Sequence, residues 1–347
     1  MARQLLATTA AAQSMTGEPL ISVIVTSYSR NRLADIKELL TSLNAQTYGR
    51  LEVIFVGEGS RALGQEVARY GRQRGMANLL VLFNDGPGGL APARNLGVRH
   101  AHGEIIAFLD DDVIALPDWA EETAKSFLVD ESAIGLTGPA LPKWQGEPQP
   151  WFPPEFYWII SCTGWFDGQG VRPVRNAWGM NMAFKREAFQ RCAFDERLGG
   201  NRGAADGSKS GLLGEDTLFS LRIRQETGRP IIYNPRVKVL HKVYPYRFER
   251  RFVRRRAFWE GDTKAWLRTL HQQDVRLSAK DLATEYGLLR RIALGFFPRV
   301  LVGFARRPGR SWRQLCLAID ALAHVALGYA SAVVGPLGRA LCKRYGE

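Results

Sequence analysis

At 347 residues the chain is long enough to bury a large core, as one large α/β domain or two smaller ones. Its net charge of +13 is unevenly spread: residues 1 to 240 carry 26 Lys+Arg against 26 Asp+Glu, whereas 241 to 347 carry 21 against 8. Cys162, Cys192, Cys316 and Cys342 are widely spaced, without a CxxC or metal-ligand pattern, which excludes a disulfide framework and reads as reduced thiols in a cytoplasmic protein.

Residues 1–19 read as a flexible N-terminal tail, since only Arg3 precedes the apolar stretch Leu5 to Ala12 and makes it a weak secretion signal. Leu20 to Tyr28 reads as a buried strand, after which Leu33, Ile36, Leu39, Leu40 and Leu43 share one helical face. Leu51 to Val56, Leu79 to Phe83 and Ile105 to Leu109 read as further strands, separated by helices over 60–74 and 89–101. This alternation predicts an α/β fold with a doubly wound, mostly parallel sheet. Ligands of such sheets bind beyond the carboxyl ends of the strands, where Thr26 to Arg30, Gly57 to Ser60 and Asp110 to Asp112 all fall.

The three consecutive aspartates crowd like charge where a strand emerges. Carboxylates so close repel one another and call for a hard cation such as Mg²⁺ or Mn²⁺, commonly beside a diphosphate. A solvated turn with helix-capping aspartates is the competing reading.

Beyond Asp118 the pattern changes. Gly138 to Pro142 and Trp144 to Trp165 read as a loop-rich, aromatic stretch suited to lining a pocket. Glycines at 199, 200, 203, 207, 211 and 214 mark a mobile loop over 198–214, and Glu215-Asp216 then opens a helix to about Glu226. An acidic first turn also suits the helix dipole, so capping competes with catalysis there. Strands at Ile231 to Tyr233 and Val237 to Leu240 lead to His241, which is either a core histidine or a ligand.

Residues 244–347 form a helical, basic extension. Arg247, Arg250, Arg251, Arg254, Arg255 and Arg256 interleave with Phe248, Phe252, Phe258 and Trp259, but no nucleic-acid-binding motif accompanies them. An anionic membrane surface is the expected partner, and nucleic acid is not. Leu315 to Val334 is apolar but interrupted by Asp320 and His324, so a helix at the interface or packed on its neighbours is favoured over a full span. Arg306, Arg307, Arg310 and Arg313 flank it.

In order, several motifs resemble the family 2 glycosyltransferases of GT-A fold. Ile21 to Arg30 is similar to their opening strand and nucleotide loop, and Val53 to Ser60 to the second strand, with Gly57 and Glu58 replacing its usual aspartate pair. Gly89 to Gly97 is similar to the Ala-Arg-Asn-x-Gly segment, and Gly103 to Asp112 to the metal-binding DxD segment. Gly179 to Arg186, Phe194 to Leu198 and Gly214-Glu-Asp216 resemble acceptor-side segments, and Pro235 to His241 the closing strand. The extension, with Arg255 to Gly261, resembles members that act on polyprenyl- or dolichyl-phosphate-linked saccharides.

The resemblance implies a GT-A domain over 20–243, with a nucleotide-sugar half at 20–118 and an acceptor half at 119–243. It implies Mg²⁺ or Mn²⁺ held by Asp110, Asp112 and His241, and a UDP- or GDP-linked sugar donor contacted by Thr26, Tyr28, Arg30, Glu58, Arg94, Asp110 and Asp111. Asp216 would be the general base of an inverting transfer, with Glu215 beside it, to a hydroxyl of a lipid-linked saccharide, such as one on polyprenyl phosphate, or of a polysaccharide. The expected location is cytoplasmic, peripheral on the inner face of the plasma membrane. Two rivals remain: a nucleotidyltransferase, which would want a glycine-rich basic loop where Thr26 to Arg30 stands, and a non-catalytic lipid or polyanion binder, which has no use for both acidic sites.

Overall fold

In the computed structural model, β1 (Ile21–Ser27) lies between β2 (Leu51–Gly57) and β4 (Ile105–Asp110), parallel to both, and β3 (Leu79–Phe83) extends the parallel set beyond β2. The structure describes residues 17–59, 61–166, 169–198, 214–271 and 283–334. Most of the expected tail and nearly all of the expected glycine loop, 1–16 and 199–213, lie outside these.

The central strands are apolar on both sides because each side faces its own core. Val23, Val25 and Phe55 pack with Ile36 and Leu39 of α1 (Leu33–Asn44), while Ile24, Ile54 and Phe108 pack with Ala91 and Ala93 of α3 (Leu90–His100). α2 (Arg61–Gln73) adds Leu63 and Val67 to the first core.

Past β4 the sheet becomes mixed. β9 (Asn181–Lys185) runs antiparallel to both β4 and β6 (Gly135–Thr137), and β10 (Ile231–Tyr233) joins β6 to the edge strand β8 (Arg172–Val174). The eight-stranded order is β3-β2-β1-β4-β9-β6-β10-β8. A second sheet of three strands holds β11 (Val239–Val243) between β5 (Val113–Ala115) and β7 (Ala140–Trp144). Here the structure departs from expectation. Ala140–Trp144 is a strand rather than a loop, because β11 pairs with it from Val239↔Ala140 to Val243↔Trp144. His241 accordingly lies within β11 and not after it.

α4 (Trp119–Val129), α5 (Glu187–Arg191) and α6 (Glu215–Thr227) complete this part, and four helices follow: α7 (Arg250–His271), α8 (Ala283–Arg291), α9 (Phe297–Gly303) and α10 (Pro308–Val334). A π-helical turn, Ile292–Phe296, joins α8 to α9. α7 and α10 touch backbone to backbone: a Cβ on Gly261 would sit 2.0 Å from the Val325 carbonyl oxygen, and one on Gly328 would sit 1.9 Å from that of Phe258. Asp320, mid-way along α10, accepts Arg254 Nε at 2.9 Å on each oxygen. Phe152, Phe156 and Ile159 share a third core with Val253, Ala257, Phe296 and Ala321, so the aromatic segment and the extension are buried together. α10 is long and apolar enough to cross a membrane by length and composition, and its outer face leaves Trp312, Ile319 and Val333 exposed.

Candidate active site

Two cavities meet at Asp110. The first, a cleft of about 670 Å³, opens at the carboxyl ends of β1, β2 and β4 and is lined by Thr26, Tyr28, Glu58, Asp110, Asp111 and Asp112, with His241 and Arg247 from the far side. Register explains the convergence. Thr26 pairs with Asp110 across β1 and β4, and His241 pairs with Val113, one residue past Asp112.

The three aspartates are not equivalent. Asp112 is buried, with Oδ1 at 3.3 Å from His241 Nε2 and Oδ2 accepting from Arg247 at 2.9 Å and Arg32 at 3.2 Å. Burial alone would push its carboxyl up, but His241, Arg247 and Arg32 outweigh burial and hold it well below the usual carboxylate range. Asp111 accepts from Ser27 Oγ at 2.6 Å, yet burial and the neighbouring Asp112 charge push it up to about 7. Asp110 faces both cavities.

One ligand atom each from Asp110, Asp112 and His241 can be brought within 4.8 Å of the others. His241 Nδ1 is buried with no hydrogen-bond partner among the described residues. Two carboxylate oxygens and an imidazole nitrogen, crowded at a cleft mouth, fit Mg²⁺ or Mn²⁺.

The second cavity, about 380 Å³, lies on the other side of Arg94 and is lined by Trp158, Trp165, Trp178, Glu215 and Asp216, together with side chains of α7, α8 and α10. Arg94 is only 2% exposed and donates to Glu215 Oε1 at 2.8 Å, to the Gly179 carbonyl at 3.2 Å and to Asp110 Oδ1 at 3.5 Å. One guanidinium therefore joins the aspartate cluster to the start of α6. Asp216 Oδ2 accepts from Gly179 N at 2.8 Å, and Oδ1 accepts from Thr217 N at 2.6 Å. Burial, then the Glu215 charge, raises the Asp216 pKa over the opposing pull of Arg94 and these two N–H donors. Space at Gly179 is tight, since a Cβ there would lie 3.1 Å from Arg94 Nη2 and 3.3 Å from Asp216 Oδ2.

The remaining sequence candidates divide. Tyr28 stands in the cleft, 46% exposed, and Glu58 uses Oε2 to hold Gly89 N at 2.7 Å, so it pins the loop that leads into α3. Arg30 turns outward, 59% exposed on Glu66, and does not line the cleft. Arg32, two residues on, reaches Asp112 instead. Arg247 went unrecognised inside the basic run assigned to lipid, yet it is buried on Asp112 and also donates to Ile160 O at 3.2 Å and Ser161 Oγ at 3.3 Å. Ser161, which lines both cavities, is the one non-glycine residue with positive φ (57°) among those described, and it holds strained backbone where the cavities meet. No sequence signal separates Arg32 from Arg30, while Arg247 stands six residues after His241 in a segment already tied to the site by β11.

A mixed sheet with an acidic cluster between a polar cleft and an aromatic pocket is the layout of a GT-A sugar-transferring enzyme. Residues 22–192 match the profile of glycosyl transferase family 2. The glucosyl-dolichyl phosphate glucuronosyltransferase of Haloferax volcanii is 31% identical over 270 residues, 77% of this chain and 84% of that protein. Glycosyltransferase AglE of the same organism is 35% identical over 122 residues, 35% of this chain and 38% of AglE. The mannosyltransferase PcManGT of Pyrobaculum calidifontis, solved with GDP-Man and Mn²⁺, superposes over 91% of this chain and 88% of its own with a TM-score of 0.57 at 21% identity. The chain belongs to glycosyl transferase family 2 and is a glycosyltransferase.

Proposed function

We propose that this enzyme moves a sugar, with inversion, from a UDP- or GDP-linked donor to a hydroxyl of a saccharide carried on a polyprenyl phosphate. The observation that carries the reading is Arg94, whose guanidinium contacts Asp110 at 3.5 Å and Glu215 at 2.8 Å, so the cation cluster and the candidate base are neighbours across one side chain. Held by Asp110, Asp112 and His241, a Mg²⁺ or Mn²⁺ ion would offset the charge that develops on the departing nucleotide.

The protein's own groups do the rest. Tyr28 stacks on the base, with Thr26 and Glu58 beside the nucleoside. Arg32 and Arg247 neutralise charge at the diphosphate end of the cleft, and Asp111 meets the ribose. Asp216 accepts the proton of the acceptor hydroxyl, its raised affinity suiting a base that must take a proton near neutral pH. Glu215, fixed by Arg94, keeps a negative charge beside it, and Arg94, buried between the two cavities, holds Asp110 and Glu215 in place.

The lipid-linked acceptor is supported by the apolar wall of the second cavity and by the Haloferax relative, whose name gives a dolichyl phosphate substrate. Exposed Leu301, Val302 and Trp312, next to exposed Arg306, Arg307, Arg310 and Arg313, suit a cytoplasmic protein lying on an anionic membrane.

The test is nucleotide release from UDP- and GDP-sugars with and without Mn²⁺, alongside calorimetric Mn²⁺ binding. D112A is expected to lose Mn²⁺ binding and at least 100-fold of the release, about 2.7 kcal/mol or more. Absence of metal-dependent release from every nucleotide sugar overturns the reading.

A further inference from the structure

Arg32 stands between two carboxylates. Its Nη1 lies 3.2 Å from Asp112 Oδ2 and 3.2 Å from Oδ2 of Asp35, in the first turn of α1, and its Nη2 donates to Tyr246 Oη at 3.4 Å. Burial opposes its charge, but Asp112, Asp111 and the bond to Asp35 outweigh burial and raise the Arg32 pKa. Asp35 is only 5% exposed, and its Oδ1 accepts from Lys242 Nζ at 2.8 Å and from Tyr244 Oη at 2.5 Å. Lys242, in β11 and 1% exposed, also lies 3.1 Å from Glu38 Oε1, and its N–H donates to the Asp112 carbonyl at 2.9 Å. A ring closes from the Asp112 side chain through Arg32, Asp35 and Lys242 to the Asp112 backbone. One buried strand residue therefore places both carboxylates that share the arginine.

The other arginine on Asp112 is anchored differently. Arg247 is held on its far side by the Ile160 carbonyl and Ser161 Oγ, both neutral, whereas the further partner of Arg32 is a carboxylate. Of the remaining acids in the cluster, Asp110 pairs with Arg94 and Asp111 accepts from Ser27 Oγ. Asp112 Oδ2 thus carries two guanidinium groups while Oδ1 faces His241. Both guanidinium groups repel a divalent cation drawn to Asp112, and a diphosphate in the cleft, whose wall includes Arg32, attracts them. Asp35 leaves Arg32 a charged partner when it gives up Asp112.

We infer that Arg32 couples the binding of a nucleoside diphosphate to that of the cation, and that Asp35, fixed by Lys242, is the positioning residue that sets the balance. On Asp112, Arg32 weakens the hold of that carboxylate on a cation. Drawn to phosphate, it releases the carboxylate, so each ligand strengthens the binding of the other. The coupling rests on the proposed roles of Asp110, Asp112 and His241 as cation ligands and adds the groups that regulate them.

Mn²⁺ is titrated calorimetrically into the full-length protein, alone and with saturating UDP or GDP, and thermal melting reports on folding. Without nucleotide, R32M is expected to bind Mn²⁺ about tenfold tighter than the native protein, a gain that no folding defect produces. It should bind UDP or GDP more weakly, and the enhancement of Mn²⁺ binding by nucleotide should shrink. D35N is expected to bind Mn²⁺ several-fold more weakly, since Arg32 then rests on Asp112 alone, while D35E, which keeps the charge, should retain native affinity. In the R32M background D35N should change Mn²⁺ affinity little, which distinguishes action through Arg32 from loss of a nearby charge or of packing around Lys242. Unchanged or weaker Mn²⁺ binding by R32M, or a D35N loss that persists in the double variant, overturns the coupling. Nucleotide release from UDP- and GDP-sugars on the same samples separates the two readings. Release by the native protein with no tighter Mn²⁺ binding by R32M sinks the coupling and keeps the transfer reaction, and tighter binding by R32M without release from any nucleotide sugar does the reverse.

Discussion

The two cavities that meet at Asp110 are built on opposite plans. The donor cleft gathers chain ends that a parallel sheet brings together by its own geometry, and its charges are closely paired, as in Asp112 with Arg32, Arg247 and His241. The second pocket draws on residues from Leu90 to Val325, and a large part of its wall comes from the helices of the extension. Buried polar atoms without a partner among the described residues occur in both, His241 Nδ1 and Arg247 Nε in the first and Trp158 Nε1, Arg256 Nε and Glu285 Oε2 in the second. A site for a nucleotide diphosphate and a cation can be held by strand register, whereas a pocket for a chain that is polar at one end and apolar at the other needs two kinds of surface.

Substitutions that fall on one cavity and spare the other sharpen the contrast. D216N is expected to lower turnover by about 10²–10⁴-fold, with the donor dissociation constant nearly unchanged by calorimetry. In the proposed role Asp216 works as the carboxylate, and since its pKa is raised, kcat/KM of the native enzyme should fall with decreasing pH along a limb above the usual carboxylate range. A limb at or below about 4, or one that persists in D216N, would remove Asp216 from the role of base. R94M strips the common partner from two acidic groups, and leaving Glu215 buried and unpaired should cost roughly 3–5 kcal/mol in urea unfolding. Adding E215Q should recover part of that loss, and strict additivity of the two changes would show that the pair is not coupled.

G328V acts on the acceptor side alone. Forcing α10 from α7 should cost about 1–3 kcal/mol and weaken dodecyl glucosyl phosphate binding while sparing Mn²⁺ binding, and equal loss of both would erase the distinction between the cavities. The smallest effect is expected at the surface. R306Q should weaken binding to phosphatidylglycerol vesicles by about 1 kcal/mol in flotation assays, and unchanged binding would count against the arginine-flanked face as a membrane contact.

Much of the donor side was legible because it is local. β1, β2 and β4 announce themselves as apolar runs, since each is buried on both faces, and three adjacent aspartates are hard to mistake. β6 and β8, each of three residues, carry too little pattern to be read, and β7 becomes a strand only because β11 lies alongside it. Arg30 and Arg32 are two residues apart with the same chemistry, yet one pairs with Glu66 at the surface and the other reaches Asp112. The basic run after Tyr244 looked uniform, but Arg247 serves the donor cleft, Arg254 neutralises Asp320, and Arg256 lines the acceptor pocket.

From the amino-acid order alone came the doubly wound scaffold, the acidic cluster at its strand ends and the basic character of the extension, because periodicity and adjacent charge are properties of neighbouring residues. Which arginine meets which carboxylate, where His241 falls relative to Asp112, and how α7 and α10 close the second pocket were decided by tertiary structure. Asp112 and Arg247 stand 135 residues apart, and at that distance strand register and packing choose the partner, since the chemistry of each arginine is the same.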